Sequence, residues 1–320
     1  MLSNKYKIHF MALHTLLGAN GTIATELVPI LQANNEKIRL VSRNPKPVAG
    51  AETRKADVLD RQQLIDAVAG SDIVYLLVGI QYDHKIWKSN WPVIMRNTID
   101  ACKAANAKLI FFDNIYAYGL VKGKITEETP FHPVSKKGEV RAGVDRMLLD
   151  EMRSGKIKAA IAKATDFYGP RSTDKSAAGI LIFDRLKKGS TAQWMVNADL
   201  PRTFSYTPDA ARGLYILATH EESFGQTWHL PVSSPDLTGR QFIAIAAKYM
   251  NGKTKVQVIP KWMLKAIGWF VPFMKENYEM LYQYEYPLQF DSSKFERAFH
   301  FKPTSYEEGI RTTAEWFLAQ

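Results

Sequence analysis

Short apolar runs alternate with amphipathic stretches through the first half of the chain. The runs Leu13–Leu17, Ile38–Val41, Ile73–Val78, Leu109–Phe112 and Ile157–Ala162 are nearly continuous in apolar character, as strands covered on both faces require. Between them, Ile23–Gln32, Arg61–Val68, Trp91–Ala105 and Arg141–Met152 carry apolar residues at helical spacing. Glycines and polar turns mark the joins. Strand and helix in alternation predict a parallel sheet with helices on both faces. Right-handed crossovers wind such a series into a doubly wound α/β fold whose ligand lies at the carboxyl ends of the strands. Met11 leads directly into the first run, so residues 1–10 read as an N-terminal tail and 11–165 as the core. From about residue 166 to 320 the alternation is irregular and aromatic-rich, which predicts a smaller, mixed substrate lobe with segments returning to the core. No internal repeat or low-complexity segment occurs.

The first run enters a glycine turn, Leu16-Leu-Gly-Ala-Asn-Gly-Thr-Ile-Ala24. Gly18 permits a sharp turn, Gly21 permits the backbone to approach a pyrophosphate, and Ala24 permits the next helix to pack closely on the sheet. The free N–H groups at the helix start then face the phosphates. Gly18, Asn20, Gly21, Thr22 and Ile23 are therefore candidate cofactor contacts in a Rossmann-type core. GxxGxxA alone also occurs at strand–helix joins that bind no nucleotide. The second run adds to the signal, because it ends at Ser42-Arg43, where selection of NAD would place a carboxylate for the adenosine ribose. A hydroxyl and a guanidinium suit a 2′-phosphate instead, which favours NADP(H) with NAD(H) still accommodated. The bland alternative is that Arg43 is a solvated turn residue.

The chain has 320 residues, 46% of them apolar, enough for one α/β core and a smaller lobe. Its formal charge of +10 is spread without a dense basic block, so a phosphorylated cofactor or small-molecule substrate explains it as well as nucleic acid does, and no nucleic-acid partner is expected. The single cysteine, Cys102, excludes an internal disulfide, suits a reducing cytoplasm, and reads as a buried structural thiol. Trp262–Met274 is the most apolar long stretch, but Lys265 interrupts it and Pro272 would kink it. It reads as a lid or packing helix, with no membrane partner expected. Residues 1–10 lack the apolar core of a signal peptide. The seven histidines are scattered and no Gly-x-Ser-x-Gly turn occurs, so neither a metal site nor a catalytic-triad hydrolase is expected.

With these elements in order, the chain resembles the extended short-chain dehydrogenase/reductases of the NAD-dependent epimerase/dehydratase family. Asp57-Val-Leu-Asp60 resembles the acidic motif after the third strand, which implies Asp57 and Val58 at the adenine. Leu76–Gly79 resembles the end of the fourth strand, which implies Leu77, Val78 and Gly79 beneath the cofactor. Asn97 is similar to the family's helix asparagine that steadies the central sheet, Tyr118-Gly119 to the tyrosine-glycine pair after the fifth strand, and Tyr168-Gly-Pro170 to the YGP motif after the sixth. Arg202–Tyr206 with Asp209–Arg212, Asp291–Glu296 and Glu307–Ile310 resemble the substrate-lobe strand, its helix and the closing helices. The resemblance also implies a homodimer built through the helices near Trp91–Ala105 and Arg141–Met152.

The catalytic positions depart from the family's pattern. Counting four residues back from Tyr118 gives Asn114 where the family has Ser or Thr. Registering Pro133–Asp145 on the YxxxK segment puts Lys137 at the tyrosine and Arg141 at the lysine. Amines and phenols titrate in neighbouring ranges, about 10.4 and about 10, so Lys137 is the first candidate for proton transfer, as acid or as base. Arg141, one helical turn later, takes the place of the family lysine and is expected at the nicotinamide ribose. Asn114 can donate to a substrate oxygen. Tyr116 is a second proton-transfer candidate, ranked behind Lys137. Lys137 also has a bland reading as a solvated lysine beside Lys136. Tyr278, Tyr282, Tyr284 and Tyr286 could line a pocket, although packing is the more ordinary reading for each. Two functions remain open: an NADP(H)-dependent oxidoreductase or epimerase/dehydratase-like enzyme on a carbonyl, sugar or sugar-nucleotide substrate, and a non-catalytic NADP(H)-sensing regulator.

Overall fold

The computed structural model describes residues 11–173 and 176–320. The expected tail, 1–10, lies outside the described residues. A parallel sheet of seven strands organises the molecule: β1 (Leu13–Leu17), β2 (Lys37–Ser42), β3 (Ala51–Lys55), β4 (Ile73–Leu76), β5 (Lys108–Asp113), β6 (Ala159–Lys163) and β7 (Thr227–His229). Their spatial order is β3-β2-β1-β4-β5-β6-β7, so the order reverses between β1 and β4. At that point the loops leaving the two strands part and open a crevice at their carboxyl ends.

Successive strand residues feed opposite cores. Leu17, Val74, Leu76, Phe111 and Ile161 pack under α2 (Arg61–Val68), α3 (His84–Ala105) and α4 (Lys136–Arg153). Leu16, Leu40, Tyr75, Ile110 and Ala162 pack under α1 (Thr22–Ala33) and α5 (Thr207–Thr219). A third core, around Tyr168, Phe183, Trp194, Phe204 and Phe242, belongs to the second half. It is closed by α6 (Gly239–Tyr249) and by the paired helices α7 (Lys261–Ile267) and α8 (Pro272–Asn277), followed by α9 (Ser293–Phe299) and α10 (Tyr306–Leu318). Strand β7 comes from this half and joins the sheet beside β6. Cys102 is fully buried, and burial pushes its thiol up.

Several expectations are corrected. Strand β3 was missed by the apolar pattern, because Ala-Glu-Thr-Arg-Lys is an edge strand with four exposed residues; only the family resemblance, which sets Asp57–Asp60 after a third strand, implied it. Met11 precedes the first strand, which begins at Leu13, and is about half exposed. Strand β4 ends at Leu76 and β6 runs from Ala159 to Lys163. Helix α3 starts at His84, seven residues before the expected Trp91, because the Asp83 carboxylate caps it by accepting from the Lys85 and Ile86 N–H groups. Pro92 lies within it. Helix α4 likewise starts at Lys136, with Ser135 accepting from Gly138 N–H. Trp262–Met274 forms no single helix. Pro272 falls at the start of α8, where its missing N–H costs nothing.

Candidate functional site

The crevice begins at Gly18, whose φ of +92° suits glycine and whose absent Cβ would stand 2.9 Å from the Leu77 carbonyl and the Val78 Cα. The turn between β1 and α1 is thus pressed against the end of β4. Gly21 N–H donates to the Gly18 carbonyl, and no side chain caps α1, so the helix start keeps free N–H groups. Thr22 and Ile23 form that first turn and are largely buried. Asn20 lies beside them with its amide holding the loop 43–50: it donates to the Asn44 carbonyl at 2.8 Å and accepts from Lys46 N–H at 3.2 Å. Ser42 ends β2 and Arg43 begins that loop. Arg43 is exposed and makes no ion pair among the described residues. Asp57 accepts from Leu59 N–H, and the Val58 carbonyl accepts from buried Asn97 at 3.0 Å. Leu77, Val78 and Gly79 follow β4 directly.

At the end of β5, Asn114 Oδ1 accepts from Tyr116 N–H at 2.9 Å, which leaves its NH2 as the group available for an outside acceptor. Gly138 of α4 presses on this turn, where a Cβ would stand 2.7 Å from the Tyr116 carbonyl oxygen. The Tyr116 hydroxyl meets that of Tyr82 at 3.5 Å. Burial, reinforced by the charge of Asp166, pushes the Tyr116 phenol up to about 12. Tyr82 is raised as well, chiefly by burial.

Lys137 is fully buried. Its ammonium donates to Glu276 Oε2 at 2.6 Å, to the Glu276 carbonyl at 2.9 Å and to Glu279 Oε1 at 2.9 Å, and lies 4.7 Å from the Tyr82 ring centre. Glu276 also receives His84 N–H at 2.8 Å. Burial alone would raise the Glu276 carboxyl, but the hydrogen bonds from Lys137 and His84 hold it at about 2. Glu279 further accepts from the Lys136 and Lys137 N–H groups, placing a carboxylate at the start of α4 where the helix dipole favours one.

Arg141, one turn along α4, is buried and directs both Nε and Nη2 at Asp113 Oδ1 while its guanidinium stacks 4.0 Å from the Trp91 ring centre. Asp113 also accepts from Lys163 at 2.5 Å, and Lys163 reaches Asp145 at 2.7 Å and the Asn114 carbonyl at 3.2 Å. These four charged side chains form a closed, buried network at the ends of β5 and β6. Burial would raise Asp113, but Arg141 and Lys163 pull it down to about 2. Asp145 is pushed up to about 7 by burial and by the Asp113 charge, with Lys163 only partly offsetting them. Asp145 Oδ1 is buried without a hydrogen-bond partner. Beside the network, Tyr118 bonds buried His229 at 2.8 Å. Burial holds His229 down at about 3, with its Nδ1 against the Asp291 carbonyl at 2.8 Å.

The structure thus gathers Asn114, Tyr116 and Lys137 around one end of β5, and turns Arg141 to Asp113. It adds residues that sequence reasoning passed over: Tyr82, His84, Glu276, Glu279 and Asp166. Asp166 accepts from Arg202 at 2.5 Å and from the Tyr284 hydroxyl at 3.1 Å. Glu279 lies 142 positions from Lys137, and no local pattern announces such a pair. Arg171, on the loop after Tyr168, places its carbonyl 3.5 Å from the Thr22 hydroxyl and its guanidinium 3.3 Å from Glu26. Of the four tyrosines, Tyr282 and Tyr286 line a shallow cavity beside Ile115 and Leu288. Tyr284 borders a cavity of about 10 Å³, room for one water at most.

Comparison with known proteins gives the family and the fold. Residues 15–230 match the profile of the NAD dependent epimerase/dehydratase family. The chain belongs to that family. Among curated members, the dTDP-glucose 4,6-dehydratase of Escherichia coli is 24% identical over 201 residues, which is 61% of this chain and 50% of the dehydratase. The chain spans no more than half the length of the curated relatives it matches. Among solved structures, the Thermus thermophilus UDP-glucose 4-epimerase, in complex with NAD, has a TM-score of 0.76 at 18% identity, covering 95% of this chain and 98% of that one. The Streptomyces venezuelae dTDP-glucose 4,6-dehydratase DesIV, with NAD bound, has a TM-score of 0.79 at 16% identity, covering 95% and 96%. These likenesses show a shared fold with the family across nearly the whole chain.

Proposed function

We propose that this family member is an NADP(H)-dependent oxidoreductase or epimerase/dehydratase-like enzyme acting on a carbonyl, sugar or sugar-nucleotide substrate. The observation that carries the reading is the uncapped start of α1 against Gly18 and Leu77, a cradle that fits a pyrophosphate. Gly18, Asn20, Gly21, Thr22 and Ile23 would hold it, with Asp57, Val58, Leu77, Val78 and Gly79 along the rest of the crevice. Ser42 and the exposed Arg43 would take a 2′-phosphate. A nicotinamide bound there would supply or accept hydride. The NAD complexes of the epimerase and dehydratase of known structure support a nicotinamide dinucleotide in this crevice, while the preference for NADP(H) rests on Ser42 and Arg43 alone.

For the proton we place Tyr116 ahead of Lys137. A phenol raised to about 12 by its surroundings holds its proton at neutral pH and can give it to the strongly basic oxygen that forms as a carbonyl is reduced. Asn114 would orient that oxygen through its NH2. Lys137, sandwiched between two carboxylates, instead latches the α8 segment over the site. Arg141 anchors α4 to Asp113. One observation favours the non-catalytic sensor: Lys137, which the resemblance sets at the family's proton-transfer position, is closed off by Glu276 and Glu279. Pairing of two copies through α3 and α4, which pack side by side, and a cytoplasmic setting belong to this reading too.

Titration of NADPH and NADH into the wild type and Arg43→Ala tests the cofactor assignment. The wild type is expected to bind NADPH about tenfold more tightly or better, and Arg43→Ala to lose most of that preference, since a charge-assisted phosphate contact is worth about 1.5–3 kcal/mol. Equal affinity for both cofactors in the wild type would remove Arg43 from the site.

A further inference from the structure

Helices α7 and α8 form a short hairpin whose apex, Gly268–Val271, projects from the second lobe. The apex is tight: Trp269, Phe270 and Val271 N–H groups donate back to Ala266 and Ile267 carbonyls. Its apolar side chains lie outside the hydrophobic cores of the described residues. Trp269 is 75% exposed and Phe270 85%, and Trp262 on the first arm is 70% exposed, with Val271 and Phe273 beside them. Isolated exposed apolar residues are ordinary, but a contiguous patch of large aromatics marks an interaction surface.

The charges around the hairpin are sorted by direction. Residues 261–275 contain Lys261, Lys265 and Lys275 and no carboxylate. Lys265 and Lys275 are exposed and make no ion pair among the described residues, while Lys261 pairs with Glu285. The two carboxylates that follow, Glu276 and Glu279, are turned inward onto Lys137. Through His84 the first turn of α3 abuts α8, and it brings exposed Lys85 and Lys88 to the same end of the molecule. The outward face is therefore apolar at its tip and cationic around it.

We propose that this hairpin docks on the surface of an anionic lipid bilayer, with Trp269 and Phe270 entering the headgroup boundary and Lys265 and Lys275 meeting lipid phosphates. Tryptophan interleaved with lysine is the composition of the membrane interface, whereas lysine is depleted from protein–protein interfaces. Neither arm approaches the length of a membrane span, and no helix among the described residues is long and apolar enough to cross a membrane. The association is peripheral and reversible.

The test is cosedimentation of the full chain with vesicles of phosphatidylcholine containing phosphatidylglycerol and with vesicles of phosphatidylcholine alone. Tryptophan emission is followed in the same samples. Wild-type protein is expected to sediment with the anionic vesicles, more weakly as salt is added, and to shift its emission to the blue. The pair Trp269→Ser and Phe270→Ser should abolish binding. The pair Lys265→Gln and Lys275→Gln should weaken it by about tenfold or more. All four positions are exposed, so thermal melting of the variants should match the wild type. No sedimentation with either vesicle, or equal sedimentation of wild type and variants, overturns the proposal. Concentration-dependent self-association that disappears in Trp269→Ser and Phe270→Ser would overturn it in favour of a second copy. None of these outcomes depends on cofactor binding.

Discussion

Lys137 and Arg141 lie one turn apart on α4, both buried and both paired with carboxylates, yet their partners differ in kind. Arg141 meets Asp113, which shares Lys163 with Asp145, and every member of that set sits on a sheet strand or a long helix of the core. Lys137 meets Glu276 and Glu279, carried by a short helix and the turn after it at the edge of the second lobe. The inner network cannot open without unfolding the ends of β5 and β6. The outer cluster can open by displacing one short segment. Two cations in the register of a catalytic pair can thus serve as a fixed anchor and as a latch.

The largest expected effect breaks the inner network. Lys163→Met would leave Asp113 and Asp145 facing each other in the core and should cost about 3–5 kcal/mol in urea unfolding. A loss below about 1 kcal/mol would mean that water already enters the network.

The next sharpens it through pH. The Asp145 carboxyl binds its proton more tightly folded, at about 7, than its ordinary 3.8. Its contribution to stability is complete below the ordinary value and is lost as pH rises towards 7. Asp145→Asn should therefore gain on the wild type as pH rises through that window, on the order of 1–2 kcal/mol because the charges of Asp113 and Lys163 act on that titration in opposite directions. His229, held at about 3, acts in the other direction: its contribution is lost as pH falls below 6.5. It is present in both proteins, so it leaves the difference between their melting profiles unchanged. A difference that is flat with pH would place the proton elsewhere.

The smallest effect belongs to the outer cluster. Glu276→Gln keeps an amide oxygen to accept from Lys137 and His84 N–H and leaves Lys137 the Glu279 carboxylate and a backbone carbonyl, so unfolding should change by about 1 kcal/mol, while proteolysis within the α7–α8 segment should speed up. A loss as large as that of Lys163→Met would erase the distinction between latch and anchor.

The same contrast separates what could be read in the sequence from what could not. Gly18, the buried strands and the family motifs were legible because strand, turn and helix follow one another within a few residues. Asp83 before α3 and Ser135 before α4 carried cap signals that the apolar period alone passed over. Strand β3 had no apolar signal, being polar on both faces, and was implied only by the motif that follows it. The partners of Lys137 and Arg141 were invisible for a different reason. Register on the family pattern singled out the two positions as candidates, but only the fold brings Glu276 and Glu279 to one and turns Asp113 to the other.

The central claim is that Tyr116 handles the proton while Lys137 latches the site. The direct measurement is NADPH oxidation by wild type, Tyr116→Phe and Lys137→Gln over a panel of aldehydes, ketones and keto-sugars, with cofactor binding followed in the same samples. The account predicts turnover that falls by about a hundredfold or more in Tyr116→Phe and by less than about tenfold in Lys137→Gln, with binding retained in both. Turnover that collapses in Lys137→Gln and survives in Tyr116→Phe would contradict it.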